Sequence, residues 1–253
     1  MNFNKKLIPL YKKPTAIYKI DNFFDKDFYL ELKNNFPTIK NNRINSFVGR
    51  DEQHGKQAFY DYELKSVNAA QKKTFSKLDG IIRSQNFFNF FIKNFYFEIV
   101  KNQNSFLRKL RYLRYPIIDK KNDSFFDFLF SKIKITYDFS FIKNNGKIVP
   151  HTDGQRKYLS LMLYFPDDNE KEKDYGTTFW ESNKPNYLNT HIHDPNQEDK
   201  FKLENKVLYK TPFVSNCLYL FIRNDYSWHT VEPVNISDNY IRKSLNINFI
   251  YQN

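Results

Sequence analysis

From Lys132 onward the chain alternates apolar and polar residues, the period of two that sends successive side chains to opposite faces of a strand. Between Tyr158 and Phe165, for example, Tyr158, Ser160, Met162 and Tyr164 share one face and Leu159, Leu161, Leu163 and Phe165 the other. The pattern predicts strands at 132–142, 147–153, 158–165, 176–181, 206–211, 216–223, 228–234 and 241–250. Short strands separated by turn signals in this number suit a double-stranded β-helix, the jelly-roll form.

The first half has the longer period of helices. Asp25-Lys26-Asp27 places acids at a helix start, Phe28, Leu32 and Phe36 recur on one face, and Pro37 ends the run. Residues 41–63 are polar and turn-rich. From Lys65 to Leu113 the apolar positions Phe75, Leu78, Ile82, Phe87, Phe90, Phe91, Phe95, Ile99 and Val100 predict helices whose aromatic side covers a sheet. Residues 114–130 fit neither period. The class is therefore α+β, mainly β. Residues 1–130 are expected to form a helical support region and 131–253 the β core, together one compact domain. Asp167–Asp174 and Ser182–Glu204 read as charged loop insertions, the second able to act as a lid.

Composition changes this picture little. One cysteine, Cys217, precludes an intrachain disulfide and fits a reducing compartment. The N-terminal segment is charged without a long apolar run, so neither signal peptide nor membrane anchor is expected, and a cytoplasmic location is the simplest. The net charge of +12 is matched by abundant Lys, Asn, Ile, Phe and Tyr together, a bias that base composition alone produces. A basic role toward an acidic substrate stays open beside that reading. No glycine-rich phosphate loop is present, so kinase and nucleotide-fold readings lack support.

The chemistry is concentrated in three places. Pro150-His151-Thr152-Asp153-Gly154 holds an H-x-D pair, Ser227-Trp228-His229-Thr230-Val231 a second histidine, and Arg242-Lys243-Ser244 an R-x-S. His151 and Asp153 project to one face if the segment is a strand, and His229 must arrive from another strand. Two imidazoles and a carboxylate on one face of a metal leave three positions open, the ligand set of non-haem Fe(II) oxygen chemistry. On the last strand Arg242, Ser244, Asn246 and Asn248 share a polar face opposite Leu245, Ile247 and Phe249. Such a face builds a pocket for a charged ligand, and a guanidinium can grip a carboxylate through two parallel bonds. Each residue has a plainer reading: a surface turn for Thr152-Asp153-Gly154, a core histidine for His229, a surface ion pair for Arg242. The ordered combination outweighs them. His191-x-His193 has metal-binding spacing but sits in a polar insertion and reads as loop. His54 reads as a solvated loop residue or a substrate contact. Arg156 and Lys157 form either a charged hairpin tip or the mouth of the site, placed to touch substrate.

The ordered set of His151, Asp153, His229, Arg242 and Ser244 resembles the 2-oxoglutarate- and Fe(II)-dependent oxygenase superfamily, specifically its prolyl-4-hydroxylase-like branch. Leu161-Met162-Leu163-Tyr164-Phe165-Pro166 is similar to that family's strand after the H-x-D turn, and Asp21-Asn22-Phe23-Phe24 before a helix to its N-terminal opening. The resemblance covers residues 132–251 best. It implies Fe(II) on His151, Asp153 and His229, 2-oxoglutarate as co-substrate with its distal carboxylate at Arg242 and Ser244, and O2 as oxidant. Many members carry a tyrosine upstream of the H-x-D histidine that contacts the co-substrate. Phe141 stands there instead, so Tyr164 and Ser160 are the expected substitutes. Asp153 excludes a halogenase of this fold, which needs a small residue in its place. Asn248 stands where related nucleic-acid demethylases carry a second arginine, so nucleic acid is not an expected partner. The expected substrate is a small-molecule or sugar-type metabolite. A protein side chain of prolyl type, or a non-catalytic jelly-roll binding protein, are the alternatives.

Overall fold

The computed structural model describes residues 5–37, 54–61, 67–101, 116–118, 131–167, 174–235 and 241–252. The turn-rich reading of 41–53, the helical reading beyond Lys101 and the charged stretch 168–173 lie outside the described residues.

Two sheets face each other. The larger runs β1 (Ile8–Tyr11), β2 (Ile17–Ile20), β10 (Leu218–Ile222), β7 (Lys157–Tyr164), β12 (Arg242–Tyr251), β5 (Ser131–Ile142) and β3 (Lys56–Tyr60), with β4 (Pro116–Ile118) parallel on β5. The smaller runs β6 (Ile148–His151), β11 (His229–Val231), β8 (Thr178–Glu181) and β9 (Lys206–Lys210). All pairs but β4–β5 are antiparallel. This is the predicted jelly roll, and each of its eight core strands lies within the corresponding predicted segment or a residue or so beyond it.

Three helices cover the outer face of the larger sheet: α1 (Lys26–Asn34), α2 (Ala69–Ile82) and α3 (Gln85–Lys101). The alternation explains the packing. Tyr137, Phe139 and Phe141 of β5, Leu159, Leu161 and Leu163 of β7, and Leu245, Ile247 and Phe249 of β12 point outward into one buried cluster. There they meet Phe28 and Leu32 of α1, Phe75 and Leu78 of α2, and Phe87, Phe91 and Phe95 of α3. Phe249 alone lies against the rings of Phe87, Phe88 and Phe91. Each such side chain contributes about 1.5–3 kcal/mol on burial. A capping box starts α2: Asn68 Oδ1 accepts from Gln71 N at 2.9 Å and Gln71 Oε1 accepts from Asn68 N.

Opposite residues of the same strands face the smaller sheet. Met162, Tyr164, Tyr219 and Phe221 join Phe179 and Phe213 in a second apolar cluster at one side of the sandwich. The rest of this inner face is polar, and it forms the floor of the site.

Two regions differ from the sequence reading. The first half contributes strands β1 to β4 to the larger sheet besides its helices. The second insertion is not all loop: Asp194 caps a helix, α4 (Pro195–Glu204), accepting from Gln197 N at 2.9 Å, with Pro195 in the first turn. The insertion is also tied down. Ile192 N donates to Pro150 O, Asn186 N to Asp225 O, and Trp228 Nε1 to Lys184 O. No helix among the described residues is long and apolar enough to cross a membrane.

Candidate metal centre

Strand register brings the two histidines together. His229 of β11 is the direct cross-strand partner of His151 of β6, and their ring centroids are 4.2 Å apart. Asp153 follows two residues after His151, just past the end of β6. Ligand atoms of His151, Asp153 and His229 all lie within 4.8 Å of one another, and all three residues are buried.

Local hydrogen bonds orient these ligands. His151 Nδ1 donates to Val149 O and His229 Nδ1 to Ser227 O, each at 2.9 Å. A carbonyl only accepts, so both rings carry their proton on Nδ1 and keep the Nε2 lone pair for the shared space. Burial lowers the His151 pKa well below the ordinary imidazole value, helped by His229 and His191, and burial lowers that of His229 too. Burial works against ionisation of Asp153, but the charge and hydrogen bond of Lys157 outweigh it and hold the carboxyl well below its usual range. Neutral imidazoles beside an ionised carboxylate are the protonation states that metal binding requires, so the residues fit a divalent metal.

A buried arginine supports the turn that carries Asp153. Arg223, 1% exposed, donates through Nε to Asp153 O and through Nη1 to Asp225 Oδ1, both at 2.9 Å, and through Nη2 to Asn189 Oδ1. It fastens the metal turn and the insertion together. The sequence shows only an arginine ending an apolar strand, with no signal of this role.

Across the pocket lies Arg242, buried at the start of β12. Its Nε donates to Tyr175 O at 2.6 Å and its Nη1 to Ser244 Oγ at 3.4 Å, while its guanidinium stacks over the rings of Tyr164 and Phe213. Between Arg242 and the triad the floor is made by Ser140, Asp138, Ser244, Asn246, Asn248 and Ser160. The Ser140 hydroxyl is buried without a hydrogen-bond partner, and its residue is register-paired with Ser244, so a donor stands ready beside Arg242. Burial raises the Asp138 pKa, opposed by Lys56 and by the hydrogen bonds from Asn246 Nδ2.

The other expected site residues are placed as follows. Ser160 sits on the floor, yet its hydroxyl donates to Asp153 Oδ2. Lys157 turns inward and donates to Asp153 Oδ1 at 2.6 Å. Tyr164 faces inward, but its hydroxyl meets Thr177 Oγ1 at 3.0 Å and Thr211 Oγ1 at 2.8 Å. Arg156 is exposed at the hairpin tip. His54 Nε2 lies 3.0 Å from His193 Nδ1, and neither residue lines the pocket. Phe141 faces the helices, packed on Phe36, so a tyrosine there would not point into this pocket. Asp138, Ser140 and Lys56 were not anticipated, although the alternation Thr136-x-Asp138-x-Ser140 opposite apolar neighbours signals a polar inner face.

No protein-family model matches the chain, and no curated protein matches it. Solved structures do. A Pseudomonas putida prolyl-4-hydroxylase is similar with a TM-score of 0.51 and 12% identity, the match covering 94% of each chain. A Trichoplax adhaerens prolyl hydroxylase, solved with a hypoxia inducible factor peptide fragment, gives a TM-score of 0.45 and 13% identity over 92% of this chain and 83% of that one. HygX from Streptomyces hygroscopicus, solved with nickel and 2-oxoglutarate, gives 0.46 and 10% over 93% and 82%. Over nearly its whole length, then, the chain has the fold of a prolyl-4-hydroxylase, the oxygenase branch that its H-x-D…H and R-x-S motifs resemble.

Proposed function

We propose that this protein is an Fe(II)- and 2-oxoglutarate-dependent dioxygenase that hydroxylates a small-molecule or sugar-type metabolite. One observation carries the reading: a single pocket has the His151–Asp153–His229 triad at one end and the buried Arg242 with Ser244 at the other. The fold likeness is compatible with it but does not decide activity.

Iron(II) held by the triad, with 2-oxoglutarate and O2, supplies oxidative decarboxylation to succinate and CO2 coupled to hydroxylation of a C–H bond. The protein's own groups do the rest. His151 and His229 offer neutral nitrogen lone pairs and Asp153 one negative charge. Arg242 provides a buried cation for the distal carboxylate of the co-substrate, and the hydroxyls of Ser244 and Ser140 are placed to add hydrogen bonds. Leaving that carboxylate unpaired would cost roughly 3–5 kcal/mol, the scale of a broken buried pair. The pocket offers about 120 Å³, room for roughly ten water-sized groups. That matches a compact dicarboxylate, so the prime substrate must present its C–H bond from the mouth. The anchored insertion 182–204 lies beside the triad, with His191 stacked on His151 at 4.4 Å, and a neighbour held so close favours a small molecule over a long peptide.

The test is reconstitution with Fe(II) under anaerobic conditions, measurement of 2-oxoglutarate binding by equilibrium dialysis, then addition of O2 and quantification of succinate. Metal-dependent succinate that disappears in His229→Ala is expected. Absence of 2-oxoglutarate binding to the metal-loaded protein, or undiminished succinate in His229→Ala, overturns the reading.

A further inference from the structure

All five histidines of the chain stand in one continuous column. His229 lies against His151 at 4.2 Å between ring centroids, His151 against His191 at 4.4 Å, His191 against His193 at 5.7 Å and His193 against His54 at 5.3 Å. The inner two belong to the triad. The outer end has a geometry of its own: His54 Nε2 and His193 Nδ1, from segments 139 residues apart in sequence, face each other at 3.0 Å.

We propose that His54 and His193 form a second binding site, for a divalent transition metal, at the outer end of this column. Metal–imidazole bonds are about 2.0–2.1 Å, so nitrogens 3.0 Å apart subtend roughly a right angle at a shared ion. That is the angle between neighbouring ligands in octahedral or tetragonal Ni(II) and Cu(II) sites, for which imidazole is a suitable donor. No net proton loss is needed. The ring that donates in the present contact moves its proton to its other nitrogen, and both rings turn so that their lone pairs, which now point at each other, converge on the ion. Water completes the coordination.

The alternative role for this contact is to staple the insertion to β3, but the backbone already ties each of the two segments separately to β6 and its approach. His54 O accepts from Lys147 N at 2.8 Å, and Gly55, at φ +71, makes the turn into β3. On the other side Ile192 N donates to Pro150 O, and Asp194 caps α4. The backbone on either side of the contact is thus anchored without help from the two rings, which is part of the preorganisation that a metal site needs. The site has two protein ligands and no carboxylate, so it binds more weakly than the triad.

Calorimetric titration of the full chain with Ni(II) tests this. His54→Gln and His193→Gln should each lose one equivalent relative to the unaltered protein while keeping its circular dichroism spectrum. His151→Ala/His229→Ala should lose a different equivalent and keep the weaker one, which then disappears when His193→Gln is added. An unchanged stoichiometry in both His54→Gln and His193→Gln overturns the proposal. Because the outer site is scored by its own variants, a failure of the triad to bind metal is distinguishable from a failure here.

Discussion

Lys157 Nζ sits 2.6 Å from Asp153 Oδ1, across the tight turn closed by Lys157 N donating to Gly154 O. The Ser160 hydroxyl takes the other carboxylate oxygen. Both oxygens of a metal-ligand carboxylate are therefore engaged, one of them by a cation. An ammonium in that place stabilises the carboxylate without metal and repels a metal when it arrives.

Lys157→Met should separate these two effects. The metal-free protein is expected to lose about 1–3 kcal/mol, because a largely buried carboxylate gives up a charged hydrogen bond. Metal affinity is expected to rise about tenfold or more, since a like charge a few ångströms away is removed. Paired thermal melts, with and without metal, read both. Weaker metal binding in Lys157→Met would mean that the lysine orients Asp153 more than it opposes the ion.

Arg242→Lys keeps the charge but loses the planar fork and its stacking over Tyr164 and Phe213. The Michaelis constant for 2-oxoglutarate should rise about ten- to hundredfold, the worth of one hydrogen bond to a charged group at 1.5–3 kcal/mol. Metal affinity should stay within a factor of about two, because Arg242 contributes no ligand atom to the triad. Dialysis with each ligand separately decides the matter, and a parallel loss of metal binding would contradict it.

Tyr164→Phe should act on stability and not on the co-substrate. The hydroxyl meets Thr177 Oγ1 and Thr211 Oγ1 and accepts from Thr177 N, so it is committed to the threonines that join β8 to its neighbours. A loss of about 1–3 kcal/mol in chemical denaturation is expected from leaving buried polar groups short of a partner, with 2-oxoglutarate affinity nearly unchanged. A clear loss of affinity at unchanged stability would restore the expectation drawn from the sequence, that Tyr164 binds the co-substrate.

What the sequence disclosed depended on whether the cause was local. The period of two is a local property, so β7 and β12 and the outward face of Leu245, Ile247 and Phe249 were readable. Strands β1 and β2 were not. They are four residues each, and they exist because β10, some two hundred positions away, offers an edge to Ile17 and Tyr18. Helix α4 did carry a start signal, Asp194 before Pro195, but it lacks the apolar stripe that makes a helix visible, burying only Glu198 and Phe201. The triad was readable as residue types in order. Its closeness comes from the register of β6 with β11, and the commitments of Ser160, Lys157 and Tyr164 to Asp153 and the threonines come from packing that no spacing rule encodes.

Glu198 shows what the missed helix adds. It is 4% exposed and accepts from Lys147 Nζ at 2.6 Å and Lys202 Nζ at 2.9 Å, which fastens α4 to the approach to β6. Burial pushes its pKa up, but the two lysines prevail and hold it below the ordinary glutamate value. A carboxyl whose folded pKa is depressed stabilises the fold above its unfolded value of about 4.3 and loses that contribution as pH falls through the folded value. Acid should therefore loosen α4 and the insertion it carries at pH values below about 4. Glu198→Gln should cost about 1.5–3 kcal/mol at neutral pH and flatten the acid limb of the stability profile, because the variant has no proton to take up there. Denaturation midpoints from pH 3 to pH 7 measure this, and an acid limb as steep in Glu198→Gln as in the unaltered protein would place the responsible carboxyl elsewhere.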